Sequence, residues 1–170
     1  MKALKFLGVV IVMVIAISII SNWSNPAKEE IEKIISDARQ QVEACKAIAE
    51  AEIIPIKGKI LVWDLKASSR SKAHTEVPSE LRIGEKEKRV TVFFVTAEQN
   101  VLVGHYSVSR QPAYRRYVDV YVIYWPDKKA VGRHSVVGYD PRQRRPVQHT
   151  PEYGDYTKAV AKWIAGLPKQ

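Results

Sequence analysis

From Phe6 to Ile20 the chain is apolar apart from Gly8 and Ser18, and no charge stands between Lys5 and Lys28. A run with no polar stripe cannot lie on the surface of a water-soluble domain, where one helix face must meet solvent. It is also nearly long enough for a bilayer, which needs about 20 apolar residues in a helix. Residues 3–23 supply that length, with Ser21 and Asn22 at the boundary and Trp23 where interfacial aromatics lie. A cleaved secretory peptide needs small residues before its cut. Ser21 has Ile19 two residues upstream, and the better pair, Ala16 and Ser18, falls inside the apolar run. No Cys ends the run to take a lipid. The expectation is an uncleaved transmembrane signal anchor over residues 1–24, contacting the lipid bilayer through residues 3–23.

Lys2 and Lys5 precede the span, whereas Lys28 beyond it is surrounded by Glu29, Glu30 and Glu32. Cations near a span are retained on the cytoplasmic side. The N-terminus is therefore expected in the cytoplasm and the remainder outside it, periplasmic or extracellular.

Charge divides the remainder. Residues 24–52 hold four cations against seven anions, while residues 53–170 hold 21 against 11, so the basic character of a chain of net charge +9 belongs to the outer part. A basic field favours anionic partners such as lipid headgroups, wall polymers or nucleic acid, although a solvated basic surface has the same composition. The single cysteine, Cys45, excludes an intrachain disulfide.

Asn25-Pro26 has the character of a helix start, with Glu29 and Glu30 at the positive end of the dipole. Ile31, Ile35, Ala38, Val42, Cys45 and Ala49 then recur at spacings of four and three, which predicts one amphipathic helix over 26–52. Pairs such as Lys28–Glu32, Glu29–Lys33 and Lys46–Glu50 stand at i,i+4 on the other side. The apolar stripe suits either a homodimer or packing on the rest of the chain. Three parts result: the anchor 1–24, a helical stalk 25–52 and a basic β domain 53–170.

Within the β domain the apolar period changes to two. Strands are predicted over 59–66, 89–97, 101–109, 114–125 and 129–139, separated by turn-forming residues such as Glu98-Gln99-Asn100 and Pro126-Asp127-Lys128. Residues 67–87 form a long polar connection. Residues 156–167 carry Ala159, Val160, Trp163, Ile164 and Leu167 on one helical face, with Asp155 as the cap candidate. Short connections favour an antiparallel meander. The fold class expected is α+β: an N-terminal anchor and amphipathic helix, then a roughly five-stranded antiparallel sheet with the C-terminal helix packed on it.

Candidate functional residues fall in two places. Arg142, Arg144 and Arg145 cluster before the last helix near His149, where guanidinium groups can hold an anionic partner. Tyr114, Arg115, Arg116, Tyr117, Tyr121, Tyr124 and Trp125 interleave aromatics and cations in the fourth strand, as nucleic-acid sheets do. Alternation divides that set, placing Asp119 between Tyr117 and Tyr121 on one face. Nucleic acid is the less favoured partner on that account. His74, His105, His134 and His149 have no metal-ligand spacing, and no nucleophile elbow, phosphate loop or metalloprotease signature occurs. No cofactor is implied.

The reading drawn from these features is a membrane-anchored, non-enzymatic envelope module for an anionic lipid, wall polymer or partner protein. Its binding residues are Arg142, Arg144, Arg145, Arg115 and Arg116. One alternative is an envelope hydrolase using His105 or His134 with Asp119 or Asp64, with Ser107 or Ser135 completing a triad. The other is a nucleic-acid binder using the fourth strand.

Overall fold

The computed structural model describes residues 26–51, 53–84, 87–106, 110–141, 152–153 and 155–170. Helix α1 spans Pro26–Arg39 and α2 spans Val42–Lys46. Strand β1 is Lys59–Asp64, β2 is Ser69–Arg70 and helix α3 is Lys72–Glu76. A 3-10 turn follows at Ser79–Leu81, then β3 at Val90–His105, β4 at Pro112–Trp125 and β5 at Lys129–Val137. Strand β6 is Glu152–Tyr153 and the last helix, α4, is Thr157–Gly166. The class is α+β, built on a mixed six-stranded sheet ordered β2-β1-β3-β4-β5, with β6 pairing on β4. Among the described residues no helix is long and apolar enough to cross a membrane. The apolar run at 3–23 lies outside them.

The sheet departs from an all-antiparallel meander. Strand β1 pairs parallel with β3, Lys59 opposite Val90 through Asp64 opposite Val95. A parallel pair needs a crossover of a dozen or more residues, and residues 65–89 supply it. Its described residues 67–84, expected as loop, are held by local hydrogen bonds. Asp64 Oδ1 accepts from Ala67 N–H at 2.8 Å. Ser71 then caps α3 by accepting from Ala73 N–H at 3.2 Å, and Arg82 Nε donates to the Val77 carbonyl at 2.7 Å.

Strand β3 also runs on where a hairpin was expected. Glu98-Gln99-Asn100 contains no glycine or proline, and β3 passes through it with a register shift between Ala97 and Gln99. A second shift falls between Leu102 and Gly104. The reversal comes instead at 106–111, where Tyr106 N–H donates to the Gln111 carbonyl at 3.0 Å and Arg110 adopts φ 57°. Two expected strands are thus one.

Alternation along the strands makes two cores. On one face Leu61, Val90, Val92, Phe94, Tyr121 and Ile123 pack beneath Ile34, Ile35, Ala38, Val42 and Cys45 of α1 and α2. On the other, Ile60, Val62, Phe93, Val95, Val118, Val120 and Val122 pack against α3 and against Val160, Ala161 and Ile164 of α4. Five of the six residues read as a heptad seam, Ile31, Ile35, Ala38, Val42 and Cys45, therefore pack on the chain's own sheet, while Ala49 is exposed beyond α2, and the helix is interrupted at Gln40-Gln41. Lys28 and Glu32 do approach, at 3.7 Å. Lys46 pairs with Glu43 at 2.8 Å, and Glu50 accepts from Ser135 N–H of β5 at 2.8 Å.

Residues 47–58 carry the chain from one face to the other around the β5 edge. Ala51 N–H donates to the Arg133 carbonyl at 2.9 Å, and Ile54 lies over Gly132, where a Cβ would stand 3.2 Å from its Cδ1. The Thr91 hydroxyl accepts from Lys57 N–H and donates to the Lys57 carbonyl, so a buried polar group is fully used. Ile56 is paired with the C-terminal residues: its N–H donates to Pro168 and its carbonyl accepts from Gln170.

Candidate functional site

Strands β3 and β4 outrun the sheet that surrounds them. Strand β1 leaves β3 at Val95 and β5 leaves β4 at Tyr117. Beyond these points β3 and β4 continue together to His105 and Pro112, flanked among the described residues by β6 alone, at Ala113 and Tyr114. Neither core includes the consecutive residues Val101, Leu102 and Val103, which are 43%, 49% and 44% exposed. From Gln99 through Val118 the chain has three arginines and no acidic residue.

Arg115 and Arg116 stand on opposite faces of this ribbon, as adjacent strand residues must. Arg115 donates to Asp140, just past β5, in an exposed ion pair. The guanidinium of Arg116 lies 5.8 Å from the ring centroid of Tyr156, ahead of α4. Burial, followed by the nearby Asp64 carboxylate, pushes the Tyr156 phenol above its ordinary value. Asp64, Lys66, Asn100, Arg116 and Tyr156 line a cavity of about 290 Å³ of mixed charge.

Arg142, Arg144, Arg145 and His149 lie outside the described residues. The described residues at either end of that segment are both held beside the start of β4. Gly138 N–H donates to the Arg116 carbonyl at 2.8 Å and Asp140 takes Arg115, while Glu152 and Tyr153 pair with Ala113 and Tyr114.

Among the described residues the side chains sketched for hydrolysis lie in different places. His105 is exposed at the ribbon's far end, paired with Pro112. His134 stacks on Trp163 with ring centroids 4.6 Å apart, and its Nδ1 lies 3.5 Å from Glu50 Oε1. Ser135 donates to Asp119 at 2.7 Å, but adjacent residues of β5 face opposite ways, so this pair is across the sheet from His134. Ser107 lies outside the described residues. His74 is internal: its Nδ1 accepts from Val62 N–H at 3.3 Å, and burial, then Arg70 and Arg82, depress its pKa to about 4. Among the described residues no group of three or more His, Cys, Asp or Glu could hold a metal ion.

The aromatic and cationic residues of β4 are likewise dispersed. Tyr121 and Tyr124 are buried, and the Tyr124 hydroxyl donates to the Pro55 carbonyl. Neither offers a face for stacking bases. What the sequence reading passed over is the exposed Val-Leu-Val run, taken as an ordinary hairpin strand. Its signal was the absence of any acid between Gln99 and Val118. No protein-family model and no curated protein matches the chain.

Proposed function

We propose that the chain is a membrane-tethered module of the cell envelope that binds an anionic surface through the end of the domain where β4 begins. The observation that carries this reading is the acid-free stretch Gln99–Val118. Two of its three arginines, Arg115 and Arg116, lie beside the points where the Arg142–Arg145 segment leaves and rejoins the described fold. The anchor at 1–24 tethers the module, with the N-terminus in the cytoplasm and the domain outside. Each cation held near an anionic surface contributes about 1 kcal/mol, within a Debye length of about 8 Å at physiological salt. Arg142, Arg144 and Arg145 together therefore supply roughly 3 kcal/mol.

The test uses the full chain reconstituted in neutral vesicles. These should capture free anionic vesicles or a soluble anionic wall polymer at low salt, with capture falling steeply as salt is added. Replacing Arg142, Arg144 and Arg145 by alanine should remove most of it. Equal capture of neutral vesicles, or none at the lowest salt, would leave the basic charge as a solubility feature.

A further inference from the structure

The β3–β4 ribbon carries the consecutive apolar residues Val101, Leu102 and Val103, which belong to neither core and are nearly half exposed. Val101 pairs with Arg115 and Leu102 with Tyr114, so consecutive residues put an apolar side chain on each face of a narrow ribbon. A rigid partner docked on one face would leave the other wet. Immersion in the boundary between lipid headgroups and acyl chains covers both. Augmentation by an added strand is disfavoured, because the free edge of β3 is broken by register shifts at Ala97/Gln99 and Leu102/Gly104. Arg110 is exposed in the turn at the ribbon's end, and no acid from Gln99 to Val118 opposes a phosphate. Exposed apolar residues near an exposed cation are what anionic interfacial lipid accepts.

We infer that the end of the β3–β4 ribbon enters the headgroup layer of an anionic bilayer, with Val101, Leu102 and Val103 immersed and Arg110 at the phosphates. The inference rests on the anionic-surface reading above and narrows the surface to lipid. It adds to the contact side chains outside the Arg142–Arg145 segment.

The experiment places one solvatochromic label on the full chain, through Val101→Cys or Leu102→Cys, with Lys88→Cys as a control. Cys45 is fully buried and does not compete for the label. Proteins are reconstituted in phosphatidylcholine alone or mixed with phosphatidylglycerol. Expected is a shift to shorter emission wavelength at both ribbon positions in the anionic bilayer. Lipids quenching near the headgroup should quench both labels, salt should reverse the shift, and Lys88→Cys should show no change. Water-like emission at both positions in both lipids would overturn the inference, as would a shift at one position only or an equal shift at Lys88→Cys. If the ribbon labels stay water-like while anionic vesicles are still captured in a salt-dependent way, lipid immersion fails and the broader reading stands. Loss of capture itself defeats both.

Discussion

The thiol of Cys45 donates to the main-chain carbonyl of Val122 across 3.4 Å, joining α2 to the middle of β4. Cys45 is fully buried, and burial pushes its pKa above the ordinary thiol value, which suppresses the reactive thiolate. In the native protein it should resist a thiol reagent and become reactive only on unfolding. Mild oxidation of membranes should likewise give no Cys45-linked dimer. Native labelling as fast as that in denaturant would show that α2 does not hold its place on the sheet.

His74 should make stability depend on pH. Its folded pKa, about 4, lies below the 6.5 of an unperturbed imidazole, so between these values the unfolded chain binds more protons than the folded one. Stability is then full above pH 6.5 and declines as pH falls toward 4, by at most about 3 kcal/mol. Urea titrations across that window should show the decline. His74→Gln should flatten it, and a wild-type slope retained in that variant would assign the effect to other groups.

Gly58 occupies a left-handed turn ahead of β1, at φ 72°, and a Cβ there would stand 2.2 Å from the Arg89 carbonyl oxygen. That oxygen also accepts from Lys59 N–H, at the start of the β1–β3 pairing. Gly58→Ala meets both an unfavourable backbone and a main-chain clash, with a loss of more than about 2 kcal/mol expected. A thermal midpoint close to wild type would contradict the turn geometry.

Trp163 meets Phe93 edge to face, with centroids 6.0 Å apart, and also stacks on the ring of His134. Because Trp163 is only partly buried, Trp163→Ala should cost about 3 kcal/mol, the low end of the range for a truncated core aromatic. His134→Ala should cost less, since the Phe93 contact survives. Denaturant unfolding of the two variants checks the order.

The topology proposed from Lys2 and Lys5 predicts that alkaline phosphatase fused after Gln170 is active and that carbonate leaves the full-length chain in the membrane. Release of a shortened chain would mean that the apolar run is cut, and an inactive fusion would reverse the orientation.

Much of this architecture is local and therefore legible. Alternation in β4 separates Val118, Val120 and Val122 from Tyr121 and Ile123, and the two sets do enter different cores. Asp155 does accept from Thr157 N–H at 2.8 Å, although the cap position of α4 is Tyr156, one residue later than expected. Non-local choices were harder. Nothing within residues 59–66 says that their neighbour will be parallel; that depends on how the long connection folds over one face. Nothing at Gln40-Gln41 breaks a helix, so packing rather than propensity interrupts it there. The adjacency of Arg115 and Arg116 suggested a cluster, yet the pleat that places them side by side in sequence sends them to Asp140 and Tyr156 on opposite faces.

Helices α1 and α2 lie flat against the sheet, with Asp37 accepting from Lys128 Nζ at 2.9 Å and Arg39 donating to the Leu65 carbonyl. A free helix over 26–52 would have been roughly 40 Å long, a spacer comparable to the bilayer itself. Folded back in this way, it provides no standoff. For a chain anchored through residues 1–24, the domain's height above the membrane is then limited to the few residues before Pro26, and its range of swing is correspondingly small.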